Sequence, residues 1–271
     1  MHISSEEIAE MKEQSDEFMI LRKNLHISFD VILGKGVSST VYKGHLLGTA
    51  PLHEQLQNMR TEKFVDCDVA VKAANRFGQS EVEELFKEIQ AMKLIEYHEN
   101  VVCLLGWAFH HEALCLVLEI AEKDLLHYVT EFRETLQDII PYDNFLSILS
   151  QITKDFGLCS SCDQTFSNQS SWTQKLPIKW LALESLTKRM FSEKSDVWSF
   201  GVLMYEMLSF GQIPYASMNN DELLVFLQSN GRLERPVNMT EELCEIMYSC
   251  WIKDMEKRPN FAQLQEKFDS F

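Results

Sequence analysis

Histidine is missing from the second half of this sequence: all eight histidines lie at or before His127, and residues 128–271 contain none. Basic residues are also scarce, since 25 Lys and Arg against 41 Asp and Glu leave a net charge of −16. A nucleic-acid partner is therefore excluded, because phosphate neutralisation needs a basic face. No apolar run approaches the ~20 residues of a membrane span, and the first residues lack a signal-peptide core. These absences predict a soluble, cytoplasmic protein.

Cysteine is too irregular in number for a disulfide framework. The seven cysteines are an odd set in a chain long enough to bury its own core, which favours a reducing compartment. Cys159 and Cys162 form one C-x-x-C, but a structural zinc site needs four ligands. Neither a second pair nor a nearby histidine is present, so an ordinary loop is the favoured interpretation.

The order of apolar patterns predicts two lobes of unlike class. Residues 1–24 form a leader with a short polar helix over 4–18, and strand-like runs follow at 25–33, 41–46, 65–73, 101–109 and 113–120. The polar stretch 45–63 is interpreted as a loop insertion, and 81–95 as a helix. From residue 121 the pattern is helical. The prediction is an α+β fold with a β-rich lobe over 25–120 and a helical lobe over 121–271.

Three short motifs carry candidate chemistry. Gly34 and Gly36 follow a strand, and closely spaced glycines let backbone amides approach phosphates, although a plain hairpin turn is the alternative. Lys72 closes an apolar strand, and Glu88 lies near the apolar face of the helix 81–95. A carboxylate there is costly unless paired, so Lys72 is the expected partner. Asp155, followed by Phe156-Gly157, offers the oxygen ligands that Mg²⁺ prefers.

Together these motifs resemble a protein kinase catalytic domain from about residue 25 to the end. The glycine-rich loop, the V-A-V-K strand of 69–72, the helix glutamate and the D-F-G occur in the family's order. The segments 176–184 and 195–202 resemble tyrosine kinases more than serine/threonine kinases, and receptor-type tyrosine kinases most of all. The resemblance implies the two-lobed kinase fold, phosphoryl transfer from ATP–Mg²⁺ to tyrosine, and protein substrates or signalling partners.

The resemblance also implies roles for individual residues. Lys72 would hold the α- and β-phosphates while pairing with Glu88, and Asp155 would bind Mg²⁺. Glu184 and Arg258 would form a structural ion pair, and Asp196 would hydrogen-bond the backbone of the catalytic loop. The nucleotide would be enclosed by the loop glycines, strand residues and the linker between the lobes, with Leu118 as gatekeeper: Gly34, Gly36, Val41, Ala70, Leu118, Glu119 and Ala121.

The family's catalytic loop, H-R-D-x-x-x-x-N, is missing from this sequence. No histidine is followed by arginine, and none of the acids between Val129 and Asp155 has an asparagine five positions later. By family layout, about 30 residues are absent between the helix of 142–154 and Asp155. That helix spans ~20 Å, and its last two residues would reach at most ~7 Å if extended. We therefore expect Asp155 to reach the cleft only with distortion, and Asp196 to become a buried carboxylate without its partner.

Two explanations of the gap stay open, along with a third that treats the motifs as chance occurrences in an unrelated globular protein. In the first, a tyrosine kinase has lost a block through splicing, an error in gene prediction, or the design of the expressed chain. In the second, the chain is a pseudokinase that binds nucleotide or acts as a scaffold. The segment 158–175 lacks tyrosine, so tyrosine autophosphorylation there is unavailable, although its Ser and Thr could be modified. A receptor-type relative would lie at the cytoplasmic side of the plasma membrane.

Overall fold

The computed structural model describes residues 16–36, 39–75, 79–110, 113–134, 142–158 and 177–271. The chain divides into two compact units, Met1–Glu122 and Lys123–Phe271. The first is built on a sheet and the second on helices, which confirms the predicted α+β class. Predictions on the leader helix 4–18 (up to residue 15), the Cys159/Cys162 pair and most of the segment 158–175 lie outside the described residues.

The first unit contains five strands: β1 (Leu25–Lys35), β2 (Ser39–Leu46), β3 (Asp68–Ala74), β4 (Leu104–His110) and β5 (Ala113–Glu119). They form an antiparallel sheet in the order β1-β2-β3-β5-β4. Helix α2, Gln79–Ile95, connects β3 to β4 along the chain. A shorter helix, α1, lies between β2 and β3 at Pro51–Leu56.

Strand β3 separates two apolar clusters. Val69, Val71 and Ala73 are buried in one cluster, which includes residues of β1 and α1. Because side chains alternate along a strand, Ala70 and Lys72 point to the opposite face. There α2 packs through a second cluster that contains Val82, Leu85, Ile89, Trp107 and Leu116. This alternation places Lys72 on the face that α2 covers.

The stretch 45–63 is not the loop predicted from its polar composition. It contains α1, whose Leu52 is 1% exposed, and the adjacent Ala50 and Phe64 are also buried. His53 Nδ1 lies 2.7 Å from the Oγ1 of the fully buried Thr61. A few apolar residues thus anchor the insertion in the core, and β3 begins at Asp68 instead of Val65.

Among its described residues, the second unit contains helices and no strand. Its longest helices are α4 (Tyr142–Leu158) and α6 (Glu193–Leu208). Helix α6 is central and mostly buried, and Gly201 on it lets Trp251 approach so closely that a Cβ would lie 2.7 Å from the indole nitrogen. The other helices are α3 (Leu125–Glu134), α5 (Leu183–Lys188), α7 (Asn220–Gln228), α8 (Glu241–Cys250) and α9 (Phe261–Phe268).

Sequence-encoded caps start several of these helices. Asn219 and Asn260 each accept a hydrogen bond from the N–H of the third helical residue. In return, the side-chain oxygens of Glu222 and Gln263 accept from the N–H groups of Asn219 and Asn260. Such capping boxes satisfy amide groups that have no partner within the helix. Across the described ranges, no helix is both long and apolar enough to span a membrane, and no group of His, Cys, Asp or Glu is arranged to hold a metal ion.

Candidate nucleotide site

Lys72 and Glu88 form an ion pair between β3 and α2. The Lys72 Nζ donates to both carboxylate oxygens of Glu88, at 2.6 and 2.7 Å. The two side chains are 24% and 37% exposed, so the pair is partly shielded and still open to solvent on one side. An ammonium held in this way can present its remaining donor capacity to a phosphate.

The sheet register brings four of the predicted nucleotide residues to one face. Val41 is opposite Lys72, and Leu118 is opposite Ala70. Residues directly opposite each other on antiparallel strands point to the same face. Val41, Ala70 and Leu118 therefore form a small apolar surface beside the ammonium group of Lys72, as a nucleotide base next to its phosphates requires.

Hydrogen bonds to Ser39 and Asn75 hold the glycine-rich turn, and Asn75 was not predicted to lie here. Gly36 closes the β1–β2 turn through its N–H, which donates to the Ser39 carbonyl at 2.8 Å. Asn75 donates from Nδ2 to the Gly36 carbonyl at 3.1 Å and accepts from the hydroxyl of Thr40. Asn75 directly follows β3, and a polar residue at a strand end gives no sequence signal of this contact. Among the residues that the structure describes, none has an atom within 4 Å of a Cβ placed on Gly34, so on this count the space above Gly34 is open to a ligand.

Glu119, at the end of β5, is held by both its backbone and its side chain. Its carboxylate accepts from the Cys103 N–H at 3.1 Å and pairs with Lys63 at 3.3 Å, and its own N–H donates to the Cys103 carbonyl. Burial and the neighbouring Glu119 raise the pKa of the Cys103 thiol to about 12. Lys63 comes from the insertion and was not predicted to lie here. Ala121, two residues beyond Glu119, is exposed.

Asp155 occupies the last turn of α4 instead of a loop. The prediction that this helix ends at Lys154 is wrong, because the helical backbone continues to Leu158. Its end is anchored to α9: the Thr153 Oγ1 donates to Gln265 Oε1 at 2.6 Å, and Gln265 Nε2 donates to Ser150 Oγ at 3.1 Å. The helix is therefore fixed two residues before Asp155.

Glu184 and Arg258 form a buried, bidentate ion pair in the second unit. The guanidinium donates to the two carboxylate oxygens at 2.6 and 2.9 Å. Arg258 is wholly buried, and its remaining donors reach the carbonyls of Ile252 and Lys194 at 2.7 and 2.9 Å. The guanidinium carbon lies 5.0 Å from the centre of the Trp198 ring. This pair joins α5 to the segment before α9.

Asp196 has no hydrogen-bond or ion-pair partner for its carboxylate among the residues that the structure describes. It lies in the first turn of α6 and is exposed, not buried as the sequence predicts. Neighbouring atoms still remove part of its hydration, and this desolvation, with a smaller contribution from the charge of Glu193, raises its pKa.

The structure thus brings Gly34, Val41, Ala70, Lys72, Glu88, Leu118 and Glu119 together on the first unit and places Asp155, Glu184, Asp196 and Arg258 on the second. On the first unit, an ion-paired lysine, an apolar surface and an open glycine turn adjoin one another. A nucleoside phosphate has the chemistry that fits this set.

Comparison with known proteins agrees with this geometry. The family model of the protein tyrosine and serine/threonine kinases matches in two segments, residues 27–154 and 150–268. The chain is 31% identical to the protein sevenless of Drosophila virilis over 85% of this chain and 10% of that protein. It is 29% identical to human tyrosine-protein kinase ZAP-70, over 94% of this chain and 44% of that protein. Fibroblast growth factor receptor 1 of Pleurodeles waltl is 27% identical, over 88% of this chain and 33% of that protein.

The chain spans between a tenth and somewhat under half of the length of these three relatives. The family model, in contrast, covers nearly the whole chain. The chain therefore belongs to the protein tyrosine and serine/threonine kinase family and carries a tyrosine kinase catalytic domain.

Proposed function

We propose that this chain, as written, is a tyrosine kinase domain that keeps nucleotide-contacting groups but transfers no phosphoryl group to tyrosine. One observation carries the proposal: α4 runs without interruption from Tyr142 to Leu158, so Asp155-Phe156-Gly157 belong to the same helix as the residues before them. The H-R-D-x-x-x-x-N segment that would lie between them is absent from the sequence. Its aspartate positions the attacking hydroxyl and takes its proton, and its asparagine binds a second Mg²⁺.

Loss of this segment removes the groups on which phosphoryl transfer depends most. The reaction is accelerated by positioning and by electrostatic stabilisation of the transferring group, and little covalent chemistry falls to the protein. A general base alone contributes about 10²- to 10⁴-fold. Here the base, one metal ligand and the backbone that holds them are lost together, so activity should fall to the background.

The groups that remain fit ATP better than they fit Mg²⁺. Lys72, held by Glu88, would contact the α- and β-phosphates, and Val41, Ala70 and Leu118 would pack against the base. Gly34 and Gly36 would lie over the phosphates, and backbone groups of Glu119 and Ala121 would face the edge of the base. These roles are those of the matching residues in the kinase family. Bound Mg²⁺ neutralises charge on the phosphates.

Asp155 is the single metal-binding residue of the family pattern left in the sequence. In the family, this aspartate follows the catalytic loop, whereas here its backbone belongs to the last turn of a helix. Thr153 fixes that turn through its hydrogen bond to Gln265. We therefore expect Mg²⁺ to bind weakly, because one carboxylate on a helix provides few of the six oxygen ligands that Mg²⁺ demands.

The comparisons support a deletion in this chain. The family model matches in two pieces that meet at residues 150–154, immediately before Asp155. The alignment with ZAP-70 runs over 290 positions although it covers 94% of the 271 residues, about 255 of them, which leaves about 35 positions without a counterpart here. The same comparison leaves about 42 for sevenless. These totals include every gap in the two alignments, and they leave room for the missing block of about 30 residues expected from the family layout.

An incomplete form of an active kinase is the first explanation, and a pseudokinase that binds nucleotide or partners is the second. The clean break favours the first, because gradual loss of activity substitutes residues more often than it deletes core elements. Sequencing the transcript across Ile152–Phe156 separates the two: intervening coding sequence for H-R-D, with Asn five positions after the Asp, establishes the first. If the gene and all of its transcripts lack such a segment, and the chain binds ADP, the second is established.

We also propose that this domain lies in the cytoplasm and has protein partners in signalling. This holds whether the chain is part of a receptor or of a soluble kinase. The relatives include a protein named as a growth factor receptor and one named as a tyrosine-protein kinase, so the names favour neither. The net charge of −16 does not oppose ATP, because Lys72 acts at short range and a distant acidic surface is screened by salt.

Incubation with labelled ATP, Mg²⁺ and an acidic tyrosine peptide tests the proposal. The expected label on the peptide equals that of the Lys72→Met variant. Incorporation clearly above that variant would overturn it. A Lys123→Met variant is the control, since Lys123 is an exposed lysine of the second unit that pairs with Glu131.

A further inference from the structure

Residues 16–20, called here the docked segment, lie along the outer edge of the sheet. Met19 forms a parallel bridge with Trp107 of β4. The Ile20 N–H donates to the Trp107 carbonyl at 2.7 Å, and the Trp107 N–H donates to the Phe18 carbonyl at 2.9 Å. Because β4 is an edge strand, the docked segment satisfies backbone groups that would otherwise face solvent. The sequence predicts only a leader with a short polar helix here.

The approach of the docked segment to β4 is close enough to require glycine. A Cβ on Gly106 would lie 2.7 Å from both the Ile20 Cδ1 and the Phe18 carbonyl oxygen. Ile20 itself is 4% exposed and belongs to the apolar core of the first unit. The docked segment is therefore part of the packed first unit and not a tether beside it.

Asp16 begins the docked segment and is its main polar anchor. Its carboxylate accepts from the Trp107 Nε1–H and from the Phe18 N–H, both at 2.9 Å, and pairs with the ammonium of Lys93. The Lys93 Nζ also lies 5.2 Å from the centre of the Phe18 ring. Burial opposes the charge of Asp16, but its hydrogen bonds outweigh burial and lower its pKa.

Both side-chain partners of Asp16 lead to the helix that carries Glu88. Lys93 is in the last turn of α2, five residues after Glu88. The ring of Trp107 packs edge-to-face on Phe86, with centroids 6.1 Å apart, and Phe86 is on α2 two residues before Glu88. Asp16 thus contacts α2 at two points. It pairs directly with Lys93 in the last turn, and through Trp107 it supports Phe86, close to the Lys72–Glu88 pair.

A small rotation of α2 about its attachment at Lys93 would move Glu88 by a distance comparable to the length over which a hydrogen bond is lost. Five residues correspond to a rise of about 7.5 Å, so a swing of about 10° about Lys93 would move the Glu88 backbone by roughly 1.3 Å. The bonds from Lys72 to Glu88 are 2.6 and 2.7 Å long, and a displacement of that size takes them beyond hydrogen-bond range.

We propose that Asp16 is a positioning residue that keeps α2 in the orientation in which Glu88 pairs with Lys72. Release of the docked segment from β4 would let α2 move and would separate the pair without any change at Lys72 or Glu88 themselves. The inference goes beyond the proposed function, since it concerns assembly of the ion pair and not phosphoryl transfer.

The test measures acylation of the Lys72 amine by acetic anhydride, lysine by lysine, with mass spectrometry. Pairing with a carboxylate favours the protonated ammonium, which does not react. If Asp16→Ala separates the pair, we expect acylation of Lys72 to rise about three- to tenfold. Glu88→Gln gives the rate without the pair, and Lys43, in the same sheet, is the internal reference.

Glu17→Ala is the matched control, because Glu17 is the exposed neighbour of Asp16. We expect Asp16→Ala to approach the Lys72 rate of Glu88→Gln while Glu17→Ala stays at the wild-type rate and Lys43 is unchanged in all. Equal Lys72 rates in Asp16→Ala and Glu17→Ala, with a raised rate in Glu88→Gln, would overturn the proposal.

Amide hydrogen exchange checks that the variants remain folded. The proposal expects faster exchange in α2 and β4 and unchanged exchange in β2 and β3 for Asp16→Ala. If β2 and β3 also lose protection, Asp16→Asn replaces it: the amide oxygen can still accept from Trp107, but the charge that pairs with Lys93 is gone. An Asn variant with wild-type α2 exchange and wild-type Lys72 acylation would exclude the role of that ion pair. None of these readings depends on phosphoryl transfer, so they can fail independently of the proposed function.

Discussion

Replacing Glu184 by glutamine should strongly destabilise the second unit, because it leaves the guanidinium of Arg258 buried without a counter-charge. The two groups meet through bonds of 2.6 and 2.9 Å, and the arginine side chain is 0% exposed. Breaking a buried pair by removing one partner costs about 3–5 kcal/mol. The shape of the side chain is retained, so the loss reports on charge and not on a cavity.

The expected magnitude lies near the lower end of that range. Arg258 keeps its bonds to the carbonyls of Ile252 and Lys194 and its position 5.0 Å from the Trp198 ring, and a glutamine oxygen can still accept one hydrogen bond. We therefore expect a loss of about 3 kcal/mol in the free energy of unfolding. For a unit of about 150 residues, that loss lowers Tm by roughly 6–12 °C.

The assay is urea unfolding of wild type and variants, followed by tryptophan fluorescence with the m-value as a check on cooperativity. Glu131→Gln is the matched control: Glu131 also receives two bonds from one cation, Lys123, both at 2.8 Å, but both side chains are exposed. That control should cost less than about 1 kcal/mol. If Glu184→Gln falls within about 1 kcal/mol of Glu131→Gln, the reasoning about the buried pair is refuted.

Three further predictions follow from the second unit and the nucleotide site. Asp196→Asn should raise Tm at neutral pH and leave it unchanged near pH 3. Desolvation and the charge of Glu193 raise the pKa of Asp196, so its ionised form destabilises the folded chain as pH rises through that pKa. A lowered Tm at neutral pH would show that the carboxylate has a stabilising partner. Thr153→Val should cost about 1–3 kcal/mol in unfolding free energy, measured in urea, because Gln265 loses its buried donor; an unchanged stability would mean that α4 is not anchored there. ADP should raise Tm only slightly, with the effect lost in Lys72→Met and little changed by Mg²⁺; a large rise that needs Mg²⁺ would contradict the weak metal site.

The sequence predicts the sheet and the Lys72–Glu88 pair because both depend on local patterns. Alternating burial along β3 assigns Lys72 to one face, and the apolar spacing of α2 places Glu88 toward the same cluster. A charged residue beside an apolar stripe needs a partner, and few cations lie within reach.

Other features depend on contacts between distant segments and leave little trace in local sequence. Helix α1 is fixed by a few apolar residues in a polar stretch, and Lys63 reaches Glu119 across 56 positions. Asp16 and Trp107 are 91 positions apart. No periodicity reports such pairs, because they arise only when the strands are assembled. The continuation of α4 past Lys154 was also missed, since glycine in the D-F-G lowers helix propensity, and packing of the preceding turn against α9 can override it.

The most direct test of the central claim is phosphate transfer by two matched chains: this one, and one in which the about 30-residue segment containing H-R-D-x-x-x-x-N is inserted between Lys154 and Asp155. Initial rates on the same tyrosine peptide are compared, each with its Lys72→Met variant. We expect no Lys72-dependent transfer by the chain as written and measurable Lys72-dependent transfer by the restored chain. Lys72-dependent transfer by the chain as written would contradict the account.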